Sequence, residues 1–168
     1  MSPPILTLRE ISITYGHHPL LDKVNLSVLE GSRLCLVGRN GCGKSTLLKI
    51  ASGLVEADSG DRFIKPGVTF RYLQQEPDLA GYQTCLMYVN SGLGPNDDSY
   101  KAIQLLEKLE IKPNENPNKL SVGQARKCAL AKVLAPDPDI LFLDEPTNHL
   151  DLTMISWLEG YLETSKAA

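Results

Sequence analysis

Gly38-Arg39-Asn40-Gly41-Cys42-Gly43-Lys44-Ser45-Thr46 is the stretch that decides how this chain folds. It satisfies GxxxxGK[ST], and its flanks are those the motif needs. Before it runs a short apolar segment, Leu34 to Val37, read as a buried strand; after it Lys44 to Ser52 carries Leu47, Leu48 and Ala51 at helical spacing. Glycines at 38, 41 and 43 let the backbone turn tightly, so that successive N–H groups can aim at phosphate oxygens, and the start of the following helix adds a favourable dipole. Arg39, Asn40, Cys42 and Thr46 complete the expected phosphate cradle. Lys44 is expected to neutralise the β- and γ-phosphates of a nucleotide, and Ser45 to ligate Mg²⁺.

Working outward, Ile5 to Thr14 and Val24 to Val28 alternate apolar and polar residues, which predicts half-buried strands of an N-terminal antiparallel sheet. Gly53 is a C-terminal stop for the helix after the glycine loop. Val68 to Leu73 reads as another strand, followed by an irregular region from Pro77 to about Asp98. Tyr100, Ile103, Leu106 and Leu109 recur every third residue and predict a helix with that apolar face. A loop from Lys112 to Lys119 precedes a helix over Val122 to Leu134, which Pro136 and Pro138 end. Ile140 to Leu143 reads as a buried strand, and Leu152 to Glu163 as a last helix with Ile155, Leu158 and Leu162 on one face.

That buried strand ends in two carboxylates, Asp144 and Glu145. In a chain that also carries the glycine loop, Asp144 is expected to hold the magnesium shell and Glu145 to polarise the attacking water as general base.

Further residues carry a family resemblance. Leu120-Ser121-Val122-Gly123-Gln124 resembles the LSGGQ signature of ABC ATPases, and Glu145-Pro146-Thr147-Asn148-His149-Leu150-Asp151 resembles the segment after Walker B in the ABC-F family, in its Uup-like, two-cassette branch. The resemblance covers nearly the whole chain. It implies an α/β fold, a P-loop NTPase cassette with an N-terminal antiparallel β-subdomain, a parallel-sheet core and a reduced helical subdomain. It also implies ATP and Mg²⁺ as ligands, Tyr15 stacking on adenine, and Gln75 near the γ-phosphate and metal, with the neighbouring Gln74 as its rival. Ser121, Gly123 and Gln124 would serve a γ-phosphate held by a second cassette. Asp151 matches an aspartate that meets the opposite cassette and also suits a helix N-cap; His149 reads as a structural or interface residue.

Three departures from the family pattern shape the expectations. Val122 stands where the first glycine of the signature pair is usual. The stretch from Gln75 to Leu120 is short, so the extended arm of the family is expected to be absent. Residue 168 precedes the strand and histidine that should follow the last helix, so residues 1–168 are expected to be a single partial cassette, with 76–135 as its helical subdomain and a central strand of the parallel sheet missing. Such a chain is expected to be unstable or poorly active alone, because two buried strand edges would lack partners.

Bulk properties agree with this reading. With 42% apolar and 22% charged residues in 168 positions, one ordinary globular domain is expected, and a net charge of −3 argues against this segment alone supplying a broad basic face for nucleic acid. No apolar run is long enough to span a bilayer, which points to a cytoplasmic protein without direct membrane insertion. Cys35, Cys42, Cys85 and Cys128 show neither metal-ligand nor disulfide spacing and are expected to be reduced and mostly buried.

The function expected is that of an ABC-F type ATPase cassette that hydrolyses ATP when paired with a second cassette and acts on the ribosome, RNA or DNA. The alternatives are the ATP-binding subunit of a membrane transporter, or a truncated remnant that binds nucleotide without turnover. A P-loop kinase is disfavoured, because the signature helix and Glu145 would have no role in one.

Overall fold

The computed structural model describes residues 3–95 and 97–168. These form two compact units, the first of residues 3–72, 139–142 and 166–168, the second of residues 73–95, 97–138 and 143–165.

In the first unit, β1 (Leu6–Tyr15) pairs antiparallel with β2 (His18–Val28) on one side and with β3 (Ser59–Ile64) on the other. β1 buries Leu6, Leu8, Ile11 and Ile13. Leu8 and Ile11 are an odd number of residues apart, so simple alternation would turn Ile11 outward. A register shift between them, with Glu10 at φ +53, returns Ile11 to the core. Gly60 of β3 faces this bulge at φ +99, and a Cβ there would lie 2.5 Å from the backbone oxygens of Arg9 and Glu10. β3 was not expected from the sequence: SGDRFI is exposed along almost its whole length, and pairing with β1, not hydrophobic alternation, makes it a strand.

α1 (Lys44–Ser52) packs Leu47, Ile50 and Ala51 into the same core. It ends where predicted, at Gly53 with φ +80. Arg62 of β3 donates from Nε to the carbonyl of Ala51 at 2.8 Å, satisfying one of the carbonyls a helix end leaves open. β4 (Phe70–Leu73) and β5 (Ile140–Leu143) form a second, parallel sheet. Asp139 pins its start by accepting from Thr69 N at 2.7 Å and from Thr69 Oγ1 at 2.9 Å. Ala168 lies along β5, donating to Asp139 O and accepting from Leu141 N, both at 2.9 Å.

Leu34 to Val37, expected as a buried strand, is not one. Among the described residues no strand pairs with it; Leu36 packs on the core, whereas Leu34 is 54% and Val37 90% exposed. An apolar run becomes a strand only through a hydrogen-bonded neighbour, and the described parallel sheet consists of β4 and β5 alone.

The second unit contains α2 (Cys85–Asn90), α3 (Ser99–Lys108), a 3-10 turn at Pro117–Lys119, α4 (Val122–Leu134) and α5 (Leu152–Thr164). α2, α3 and α4 pack on one another. α2 lies in the region read as irregular: Thr84 caps it, and loop carbonyls of Glu115 and Pro113 accept from its Cys85 and Leu86 amides at 2.9 Å. The face of α3 is rotated from the one expected. Ala102, Leu105, Leu106 and Leu109 are buried, while Tyr100 is exposed, since a helix repeats every 3.6 residues and a strict three-residue spacing drifts off the face. On α5, Met154 and Leu158 are buried and Ile155 and Leu162 only half so. The cysteines divide evenly: Cys85 and Cys128 are buried, and Cys35 and Cys42, expected to be buried with them, are exposed beside or within the glycine loop. No helix among the described residues is long and apolar enough to cross a membrane.

Candidate nucleotide-binding site

The first unit carries the glycine loop. Gly41 and Gly43 adopt φ +80 and +96, which a side chain would disfavour, and a Cβ on Gly43 would also lie 2.8 Å from Leu21 Cδ2. Cys42 N donates to Arg39 O at 3.3 Å, and a Cβ on Gly38 would lie 2.7 Å from Cys42 Sγ, so the loop is folded tightly on itself. The Lys44 ammonium donates to Gly38 O at 2.8 Å and to Arg39 O at 2.9 Å, which places the cation inside the loop. α1 begins at Gly43 without a side-chain cap. Gly43, the N-cap, offers the first-turn amides no side chain of its own, and the Lys44 cation lies beside them, an arrangement suited to a multiply charged anion. Ser45 and Thr46 sit half-buried in this first turn. Tyr15, at the end of β1, is 59% exposed, so its ring is open to stacking.

The second unit carries the carboxylates. Asp144 is 4% exposed and Glu145 is exposed, directly after β5. Glu145 has φ +48, a left-handed backbone unusual for a residue with a side chain. Its Oε2 accepts from Gln75 Nε2 at 3.4 Å and from the Asn148 side-chain amide. Of the two glutamines left open by the sequence, Gln75 is thus the one whose side chain reaches Glu145.

α4 opens with a capping box: Ser121 Oγ accepts from Gln124 N at 3.3 Å, and Gln124 Oε1 accepts from Ser121 N at 2.9 Å. Val122 is 66% exposed, so its β-branched side chain obstructs nothing within the chain. Gly123 serves close approach, since a Cβ on it would lie 3.0 Å from His149 O. Asp151 caps α5, accepting from Met154 N at 2.9 Å, and lies 3.7 Å from Lys127 Nζ.

Two residues escaped the sequence reading. Asn148 was seen only as part of a motif, although it holds Glu145. Arg126 was passed over, yet it is 2% exposed and donates from NH1 to Gln74 O and Gln75 O and from NH2 to Asp144 O and Glu145 O. A signal was available: Arg126 is in helical phase with the buried residues Ala129, Leu130 and Val133, so it stands on an apolar face where an arginine needs a reason.

Residues 21–148 match the family described as ABC transporter. The chain belongs to the ABC ATPase family. This cassette is 46% identical to the ATP-binding protein Uup of Caulobacter vibrioides over 98% of the chain and 27% of that protein. It is 32% identical to the energy-dependent translational throttle protein EttA of Mycobacterium tuberculosis, over 100% of the chain and 37% of that protein. The cassette thus spans 27% and 37% of the length of these two relatives. Among solved structures, a dimeric ATP-binding cassette in a post-hydrolysis state with ADP and Pi superposes with a TM-score of 0.80 at 25% identity, covering 96% of this chain and 85% of that one. The cassette accordingly has the fold and family membership of ABC ATPase cassettes, and it is similar to ABC-F proteins of the Uup and EttA types.

Proposed function

We propose that the cassette binds Mg·ATP and hydrolyses it when paired with a second cassette, within a soluble ABC-F type protein that acts on the ribosome, RNA or DNA. The observation that carries this reading is the Lys44 ammonium, held by the Gly38 and Arg39 carbonyls at the head of an uncapped helix. A triphosphate suits that cradle in charge and in hydrogen-bond direction. Ser45 and Asp144 each offer an oxygen donor of the hard kind that Mg²⁺ takes. Mg²⁺, when bound, supplies neutralisation of charge on the phosphates. In this reading Lys44 and the amides of residues 38–46 bind and orient the phosphates, Tyr15 stacks on adenine, and Glu145 accepts a proton from water, with Gln75 and Asn148 orienting it.

Residues 1–168 then serve as one cassette, with 76–135 as its helical part. Ser121, Gly123 and Gln124 face the nucleotide of the second cassette, where the start of α4 meets an anion. The relatives Uup and EttA support the ABC-F branch over a transporter subunit. The place of action is taken to be the cytoplasm.

The test is in two steps. Binding of a fluorescent ATP analogue to the purified chain, dependent on Lys44, is expected; no binding overturns the reading. Phosphate release is expected to rise when a second cassette is added, and binding without release under that condition identifies a remnant. Co-sedimentation of the full-length protein with ribosomes or DNA is expected, whereas co-purification with membranes instead marks a transporter subunit.

A further inference from the structure

A guanidinium that is 2% exposed has lost nearly all its water and must be satisfied by the protein. The two terminal nitrogens of Arg126 both donate to backbone carbonyls: Gln74 and Gln75 after β4, at one nitrogen, and Asp144 and Glu145 after β5, at the other, with 2.9 Å to Gln75 O, 2.8 Å to Asp144 O and 2.9 Å to Glu145 O. Only a planar fork of donors can span two segments in this way; an ammonium group radiates from one point.

The carbonyls it binds belong to the residues whose side chains meet. Gln75 and Glu145 are joined at 3.4 Å, and each projects from a peptide that Arg126 holds. Glu145 keeps its left-handed backbone at φ +48, a conformation that persists only when the surroundings over-determine it. Arg126 sits about one turn into α4, whose start is fixed by the Ser121–Gln124 capping box. A displacement of that end is carried by a stiff helix directly to the four carbonyls.

We propose that Arg126 is a positioning residue that makes the placement of Gln75 and Glu145 depend on the position of α4. The inference rests on the function proposed above for its consequence: engagement of the start of α4 by the nucleotide of a second cassette is transmitted through Arg126 to this cassette's own general base. The two sites of a pair are then coupled by a buried cation that touches neither nucleotide.

The variants R126K and R126M test this in the full chain. Hydrogen exchange is expected to rise about tenfold in peptides covering 73–77 and 143–148, while α3 keeps its protection. Uniform loosening of α3 along with these peptides marks a merely structural arginine and overturns the proposal, as does unchanged exchange in both peptides. With the second cassette present, kcat is expected to fall about tenfold or more while the Kd for a fluorescent ATP analogue stays within about threefold, R126K retaining more turnover than R126M. Equal loss of affinity and turnover counts against it. Should neither variant fold, native-state exchange of the unmodified chain decides: peptides 73–77 and 143–148 are expected to open in one unit with α4, and independent opening refutes the coupling. Failure of the unmodified chain to bind Mg·ATP sinks the proposed function but leaves the exchange result readable.

Discussion

The ammonium of Lys44 donates to the carbonyl oxygen of Gly38 at 2.8 Å, so the cation that is to meet phosphate already closes the loop that presents it. Replacing it removes a charge-assisted partner and leaves the loop oxygen to water. For Lys44→Ala, affinity for Mg·ATP is expected to fall about tenfold to hundredfold, the value of a hydrogen bond to a charged group. Fluorescence titration with an ATP analogue measures it, and unchanged affinity would remove the basis of the site.

Glu145 is exposed and held at one oxygen by Gln75 and Asn148. A glutamine there can still accept both bonds through its carbonyl but cannot take a proton from water. Glu145→Gln is therefore expected to lower phosphate release about a hundredfold or more, with nucleotide affinity within about threefold, in assays containing the second cassette.

Two thiols are open and two are closed. Burial raises the pKa of Cys85 and of Cys128 above the ordinary thiol value, so at neutral pH both are held as thiols and shielded from reagents. Cys35 and Cys42 are exposed and are expected to react with a disulfide reagent under native conditions, the buried pair only after denaturation. ATP is expected to slow labelling of Cys42, which lies within the phosphate loop; equal rates with and without nucleotide count against that placement of the ligand.

Gly60 gives the sharpest test of the β-subdomain. An alanine there would carry its Cβ at φ +99 to 2.5 Å from two backbone oxygens. Gly60→Ala is expected to cost at least about 2 kcal/mol, read as a lower urea midpoint at unchanged slope. A neutral result would show that β1 and β3 are less closely apposed.

What the sequence disclosed depended on whether the signal was local. α4 and β5 were legible to the residue, because Ser121 caps the one, two prolines close it, and the other is a short unbroken apolar run. β3 and α2 were not. The side chains of β3 are nearly all exposed and its structure comes from pairing with β1, while α2, at six residues, is too short to show a period. The strand expected at Leu34 to Val37 failed for the converse reason: its composition was right, but ladder formation belongs to a neighbour. In the site, the loop and the two carboxylates announce themselves by motif. Arg126 does not, since its role is written in carbonyls that sequence cannot locate.

A glycine at the N-cap of α1, with no side chain to offer, carries a practical corollary. Backbone amides next to an ammonium recognise negative oxygen as such and read neither sugar nor base, so sulfate or inorganic phosphate in a buffer competes for the same cradle. Selectivity for a particular nucleotide must then be imposed by contacts beyond the loop, and apparent affinities will follow the anion content of the solution in which they are measured.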